Sequence, residues 1–454
     1  MKKTGLIIVL LTLMSQGVSG QEIFTLKKCI DYAVENNHTL QKSKLDRDKA
    51  VQARREITGA LLPQINGSGS ITYNIQKTTF AMPNFMNDML PEQMRDPNAP
   101  KYMTITMGMN YAANIGASLM QQVLNFSLFN AVDISKSVQK MADIGYEIGT
   151  DDVIAQTATI FYNIQVLGYA LDQFDTSLNL MDKTIRMMEV NRADDIVRQV
   201  DLDRIKVTKA NLETQKDNIR QARDVQKNLL KLQMGFDMND DIEIQRIDIR
   251  TMEEIATTLP NTQFNVSALL PYRLIREKTQ LTTLQHRSAK YETLPTLTFV
   301  ANYAQNFMSD EFFRGETYHR FPVSMLSLNL KVPIFSGLSK RAKVKQADIE
   351  ISKASQDELQ LEQSLAMGHA NAMMQLENSL KNIIVQRGNK QLAEDVYNVT
   401  DNNFKEGICP LSDVLNASSS LIQSQISYVE ALNNYMKAYI DIKKADGTIR
   451  DIVK

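Results

Sequence analysis

Residues 324–350 read SMLSLNLKVPIFSGLSKRAKVKQADIE and change character half-way. Leu326, Leu328, Leu330 and Val332 alternate with Ser327, Asn329 and Lys331, the period of a strand with one apolar and one polar face. Pro333 ends the ladder, because proline has no N–H to give to it. After IFSG no proline occurs until Pro410, and Lys, Gln, Ala, Glu and Leu dominate. Those residues lose least on entering a helix, so the stretch predicts a short two-faced strand joined to one very long helix.

The chain carries this arrangement twice, which makes an internal repeat the first thing to explain. LLPQINGSGSITYN (61–74) has a counterpart in TLPTLTFVANYAQN (293–306), each with a proline followed by an alternating strand. Ile71, Tyr73 and Ile75 alternate in the first, and Leu297, Phe299, Ala301 and Tyr303 in the second. A polar helical stretch precedes both, with Leu40 and Tyr272 equally far ahead of Pro63 and Pro295. NIGASLMQQVLNFSLFNAV, from Asn114, matches the opening stretch, Phe126-Ser127 standing where Phe335-Ser336 stands. A third pair lies deep in the two helical runs, where Gly407 precedes Asp413 and Asp195 precedes Asp201 by the same interval. Gly407 suits a left-handed C-terminal position, Pro410 a first helical turn, and Ser412-Asp413 a cap for the second helix. Beyond it Val414, Leu421, Tyr428, Tyr435 and Ile442 recur every seventh residue, with Ala417, Ser424, Ala431 and Ala438 between them, a heptad seam. Ile205, Leu212 and Ile219 give a weaker version in the first half.

These signals divide the chain into 1–20, 21–235, 236–264 and 265–454. The first segment has two lysines, the apolar run Leu6 to Met14, and small Val18 and Gly20 at the spacing of a cleaved export signal. Cleavage after Gly20 leaves Gln21 first, with no cysteine to take a lipid. The second and fourth segments are the repeats, with strands near 64–76, 114–124, 296–306 and 323–333 and a helical tip near 404–416. The acidic third segment reads as a connector, and proline-rich 80–100 as a long surface loop between the first two strands.

The net charge of −1 carries no footprint of a nucleic-acid binder. Cys29 and Cys409 read best as two unpaired thiols, although one disulfide is possible in an oxidising compartment. His38, His286, His319 and His369 have no second ligand at metal spacing, and there is no phosphate loop or nucleophile elbow. Asp151 and Asp152 are adjacent, and adjacent residues point apart on a helix. The expectation is no enzyme, no metal and no cofactor. The basic run Lys340, Arg341, Lys343 and Lys345 reads equally as a solvated first stretch of helix or as a set near lipid headgroups.

Each repeat offers two strands of the length that crosses an outer membrane when tilted. Four strands cannot close a barrel, and an open edge in lipid leaves backbone groups unpaired at several kcal/mol each, so several chains must share one barrel. Helices of about 65 residues, at about 1.5 Å each, are on the order of 100 Å long and belong in an aqueous compartment.

Taken in order, LLPQI, VPIFSG leading into a helix with KQA, the tip NNFKEGICPLSDVLNA and the trailing YVEALNNYMKAYIDIKKADG resemble the TolC-like outer-membrane efflux and secretion channels, the outer membrane factors. The resemblance covers essentially the whole chain after its leader. It implies a mixed, predominantly α fold: a homotrimer whose three four-stranded contributions make a twelve-stranded outer-membrane barrel, continued by a periplasmic α-helical barrel. It implies an exporter of small molecules, drugs or proteins, working with a periplasmic adaptor (membrane fusion) protein and an inner-membrane transporter. In that family the tip is a constricted periplasmic entrance with inward-pointing acids. Gly407, Asp413 and Asp201 match it. Cys409 stands where a basic residue is expected and Asn416 where a second acid is, which leaves Asp201 either paired with another arginine such as Arg198 or unpaired. Asp413 also fits a plain helix cap. Leu326, Leu328 and Leu330 become the lipid-facing row. A reading from another class is an exported helical scaffold or adhesin without a channel, its strands forming a small soluble sheet.

Overall fold

The computed structural model describes residues 23–193, 197–257, 264–312 and 318–453; the expected leader, 1–20, and Asp195 lie outside them. In chain order the elements are β1 (Ile23–Phe24), α1 (Leu26–Asn36), α2 (His38–Gly59), β2 (Gln64–Tyr73), β3 (Thr78–Pro83), α3 (Phe85–Met89), β4 (Tyr102–Met107), β5 (Tyr111–Leu124), α4 (Phe126–Ala193), α5 (Gln199–Met234), β6 (Glu243–Ile244), α6 (Ile249–Thr257), α7 (Leu270–Tyr291), β7 (Thr296–Ser309), β8 (His319–Lys331), α8 (Ser339–Lys405) and α9 (Leu411–Ala445). Lengths match in pairs: α2 and α7 have 22 residues each, α4 and α8 have 68 and 67, and α5 and α9 have 36 and 35. Two compact units result, one from Met1–Lys49, Lys140–Thr279 and Ala354–Lys454, the other from Ala50–Gln139 and Gln280–Lys353.

The second unit holds an antiparallel sheet in the order β2-β5-β7-β8. Its register puts the expected alternations on a common face. Ile65 lies opposite Leu119, Leu119 opposite Ala301, and Ala301 opposite Leu326; one step along, Gly67, Ala117, Tyr303 and Ser324 follow. Leu326, Leu328 and Leu330 stand on this face and are exposed. The other face carries Asn66, Ser68, Ser118, Asn302, Ser327 and Asn329, and across it Asn114 donates to Asn306 at 2.6 Å and Thr298 to Gln122 at 3.2 Å. Gly116 on β5 is forced by packing, because a Cβ there would lie 2.7 Å from the carbonyl oxygen of Tyr303 and 2.9 Å from the Ala304 Cβ.

Two expectations about this unit need correction. The strands extend past the expected limits at one end of the sheet: β5 begins at Tyr111, β7 runs to Ser309 and β8 begins at His319. Pro322 lies inside β8, which an edge strand tolerates. The segment 80–100 is not a plain loop. Thr78–Pro83 and Tyr102–Met107 pair as a second hairpin, with Phe80 opposite Ile105 and Met82 opposite Met103 on one face and Thr79 opposite Thr106 on the other. Of the four residues of the basic run, Lys340 donates to the Glu292 carbonyl and Lys343 pairs with the Glu292 carboxylate.

In the first unit α9 supplies the core. Val414, Leu421, Tyr428, Tyr435 and Ile442 of the heptad are all buried, and so are Ala417, Ala431 and Ala438. Small residues between large ones let neighbouring helices approach, and Phe161, Ile164, Leu230, Leu376 and Ile383 share one cluster with Tyr428, Ala431, Tyr435, Ala438 and Ile442. The connector is more than a connector: β6 pairs in parallel with β1, and Met252 of α6 is fully buried. Gly235 ends α5 in the left-handed conformation (φ 70°), and a side chain there would strike the carbonyl oxygen of Asn36. Asp151 and Asp152 take Arg450 and Lys444 as partners, at 2.6 and 2.7 Å, and are structural. Both cysteines are free, Cys29 buried with its thiol pushed up to about 12 by that burial.

Candidate functional site

The tip is built where two long helices stop and two shorter ones start. α8 ends in a Schellman motif: Gly407 is left-handed (φ 74°), its N–H bonds to the Phe404 carbonyl at 3.0 Å, and the Ile408 N–H to the Asn403 carbonyl at 2.8 Å. Ile408 is exposed, whereas Cys409 tucks back and its thiol donates to the Thr400 carbonyl at 3.4 Å. Burial, and then the charge of Asp413, raise the Cys409 pKa above its ordinary value.

Pro410 is the N-cap of α9 and lies one residue before its first turn; it offers no side-chain cap. Asp413 is therefore the third helical residue and not the cap that Ser412-Asp413 suggested. Its N–H bonds to the Pro410 carbonyl at 3.1 Å, and its exposed carboxylate takes a hydrogen bond from the Ser412 hydroxyl at 3.3 Å. An acid in the first turn is favoured by the helix dipole, which gives Asp413 a local reason to be there beside any role at an entrance. Asn416, one turn on, is exposed.

The other turn is built similarly and charged differently. Arg198 caps α5 through its backbone, with Asp201 in the first turn. The Arg198 guanidinium donates to Asp201 at 2.9 Å and Arg204 approaches it at 3.8 Å. Of the two alternatives for Asp201, the structure takes the pairing with Arg198. Beneath both turns Ile185, Met188, Leu202, Ile205, Tyr397, Leu411, Val414 and Leu421 form one buried cluster, so four helices are packed together here.

Sequence reasoning missed Asp401 in this cluster. It is buried on α8, takes Lys405 at 2.5 Å and is within hydrogen-bond reach of the Thr184 hydroxyl at 3.3 Å, a link between α8 and α4. Burial, and then the Asp401 charge, push the Tyr397 hydroxyl up to about 12. The i, i+4 spacing of Asp401 and Lys405 was a signal for the ion pair, but not for its burial. No group of three or more His, Cys, Asp or Glu among the described residues could hold a metal.

The model of the family "Outer membrane efflux protein" matches residues 278–448. Outer membrane protein TolC of Escherichia coli (strain K12) is 22% identical over 99% of this chain and 87% of its own length. The crystal structure of CusC superposes with a TM-score of 0.73 at 13% identity, over 93% of this chain and 91% of that one. The Campylobacter jejuni CmeC outer membrane channel gives 0.72 at 16%, over 93% and 85%.

Over nearly its whole length the chain is similar to TolC-like outer-membrane efflux proteins. As a TolC-like protein it is an efflux channel and not an enzyme, placed in the outer membrane with a large helical part in the periplasm. The scaffold reading is not favoured. Channels of the TolC family are homotrimers that work with adaptor proteins and inner-membrane pumps.

Proposed function

We propose that three copies of this chain share one twelve-stranded barrel, and that the tip turns bearing Asp413, Asn416 and Asp201 surround its periplasmic entrance. The observation that carries this reading is the open four-stranded sheet, apolar along Leu326, Leu328 and Leu330 on one face and polar along Asn66, Ser118 and Asn302 on the other, with β2 and β8 as end strands. An apolar face suits lipid, a polar face suits a wet lumen, and end strands in lipid need partners. Copies joined β8 to β2 satisfy all three conditions.

At the entrance Asp413 of each copy adds an exposed negative charge, and Asp201 adds one compensated by Arg198 and Arg204. Carboxylates gathered around one opening attract cations and repel anions, an effect that salt screens. Cys409 does not supply the missing basic group; its thiol serves the end of α8. The entrance receives cargo, small molecules or drugs or proteins, from an inner-membrane transporter through a periplasmic adaptor docked on the helices.

Purified protein reconstituted in planar bilayers tests this. The reading expects a heat-resistant trimer on gels and a cation-preferring conductance. Release of the protein from outer membranes by carbonate wash, or a monomer without conductance, would overturn it.

A further inference from the structure

Phe126 and Phe335 hold the same place in the two halves, just past the second strand of each. Phe126 is half-buried and has ring partners within the chain. Its ring meets Phe129 edge-on at 6.4 Å between centroids and Tyr291 at 5.8 Å. Tyr291 is the last residue of α7, four before Pro295, so the first half's strand-to-helix joint is closed by a helix end from the second half.

The second half lacks the reciprocal cover. Phe335 is 82% exposed and Ile334 94%. They sit on the linker Val332–Leu338, in which Gly337 (φ 58°) and Leu338 (φ 65°) are both left-handed. Leu338 is the non-glycine residue with positive φ among those described, and it is exposed. Such strain persists where surroundings hold it, and here the chain itself supplies little. The residue equivalent to Tyr291 is Gly59, which ends α2 four residues before Pro63. A Cβ at Gly59 would meet nothing within 4 Å, and neighbouring Leu62 is exposed. One edge of the sheet thus has a ring and an isoleucine without cover, and the other has a helix end without a ring. The ring and the isoleucine follow β8, the open space precedes β2, and β5 and β7 lie between them in the sheet.

We propose that Ile334 and Phe335 of one copy pack into the space beside Gly59 and Leu62 of the next copy, repeating between chains the joint that Phe126 and Tyr291 make within one. The proposal rests on the trimer reading above. It follows the sheet edges, because the two uncovered features adjoin the two strands that must meet across the seam. Burying these apolar side chains drives association, and the missing side chain at Gly59 makes room for a ring carried on a longer linker.

The chain contains no tryptophan, so Phe335→Trp introduces a single tryptophan, excited selectively over the tyrosines, in the full-length protein, and Leu328→Trp gives a reference on the apolar sheet face. Both are reconstituted in vesicles of ordinary and of brominated phosphatidylcholine. The proposal expects Phe335→Trp to emit at short wavelength, to resist acrylamide, and to be quenched by bromine severalfold less than Leu328→Trp. Adding Gly59→Leu should fill the space, shift that emission to the red and restore acrylamide quenching. Bromine quenching of Phe335→Trp equal to that of Leu328→Trp would mean that lipid covers the linker and would overturn the proposal, as would emission typical of water in an intact trimer. A Phe335→Cys, Leu62→Cys, Cys409→Ser chain separates the two levels. Oxidised dimers and trimers on denaturing gels support the joint; a heat-resistant trimer without them overturns the joint alone; absence of any trimer in the parent chain overturns the reading beneath it.

Discussion

Arginine placed along the apolar row of β8 should cost an amount set by depth. The strand runs from His319 to Lys331, 13 residues, so its midpoint is Met325. At about 3.4 Å per residue and a tilt of about 40°, each residue advances roughly 2.6 Å along the membrane normal. Leu326 then lies within about 3 Å of the midplane, Leu328 about 8 Å from it and Leu330 about 13 Å, at the rim of an apolar band about 25 Å tall. Arginine costs about 2 to 4 kcal/mol at the midplane and about 0 to 1 near an interface. Leu326→Arg should therefore be worst, Leu330→Arg nearly silent and Leu328→Arg between them. Met325→Arg, on the opposite face, should be tolerated. Urea unfolding of each variant in lipid vesicles, with the fraction of heat-resistant trimer in outer membranes as a second readout, measures the series. A flat profile, or Met325→Arg as damaging as Leu326→Arg, would refute the assignment of faces.

Asp413→Asn should lower cation preference in single-channel recordings and leave trimer stability close to that of the parent, since Asp413 is not the N-cap of α9. The same change removes a charge that raises the Cys409 pKa, so more thiolate is present at a given pH and maleimide should label Cys409 faster at pH about 8, while buried Cys29 stays silent. Gly235→Ala should lose about 1 to 3 kcal/mol in thermal unfolding, from left-handed strain and from collision with Asn36. Gly116→Val should separate β5 from β7 and abolish insertion of the folded barrel, whereas Gly67→Ala, whose Cβ meets its nearest neighbour at 4.0 Å, should insert normally in the same protease-protection assay.

The sequence made some of this legible and hid the rest for identifiable reasons. The strand at 324–332 and the heptad of α9 were readable because one side-chain period runs unbroken through each, and burial of Val414, Leu421, Tyr428, Tyr435 and Ile442 follows that period. The β3–β4 hairpin was hidden because Pro83, Pro91, Pro97 and Pro100 overwhelm two short alternations, although Phe80 and Met82 do alternate with Thr79 and Ala81. Pro322 similarly concealed the first residues of β8. In the acidic connector, burial of Met252 depends on what α6 lies against, which no local pattern records. At the tip the chemistry of Gly407 was local and readable. The partners of Asp201 were narrowed to a choice, and Asp401 became visible only when Thr184, far away in the chain, was brought beside it.

The two tip turns share a backbone plan but not a charge plan. Asp201 is held between Arg198 and Arg204, whereas the Asp413 carboxylate takes a hydroxyl, from Ser412, and no cation among the described residues. In the trimer proposed above the two turns of each copy would alternate around the opening, giving a backbone near sixfold symmetry under a threefold potential. An ion at the rim would find three attractive seats separated by three muted ones instead of a uniform collar. A docking protein would likewise meet six similar shapes and three similar charges, and its own stoichiometry would reveal which of the two it follows.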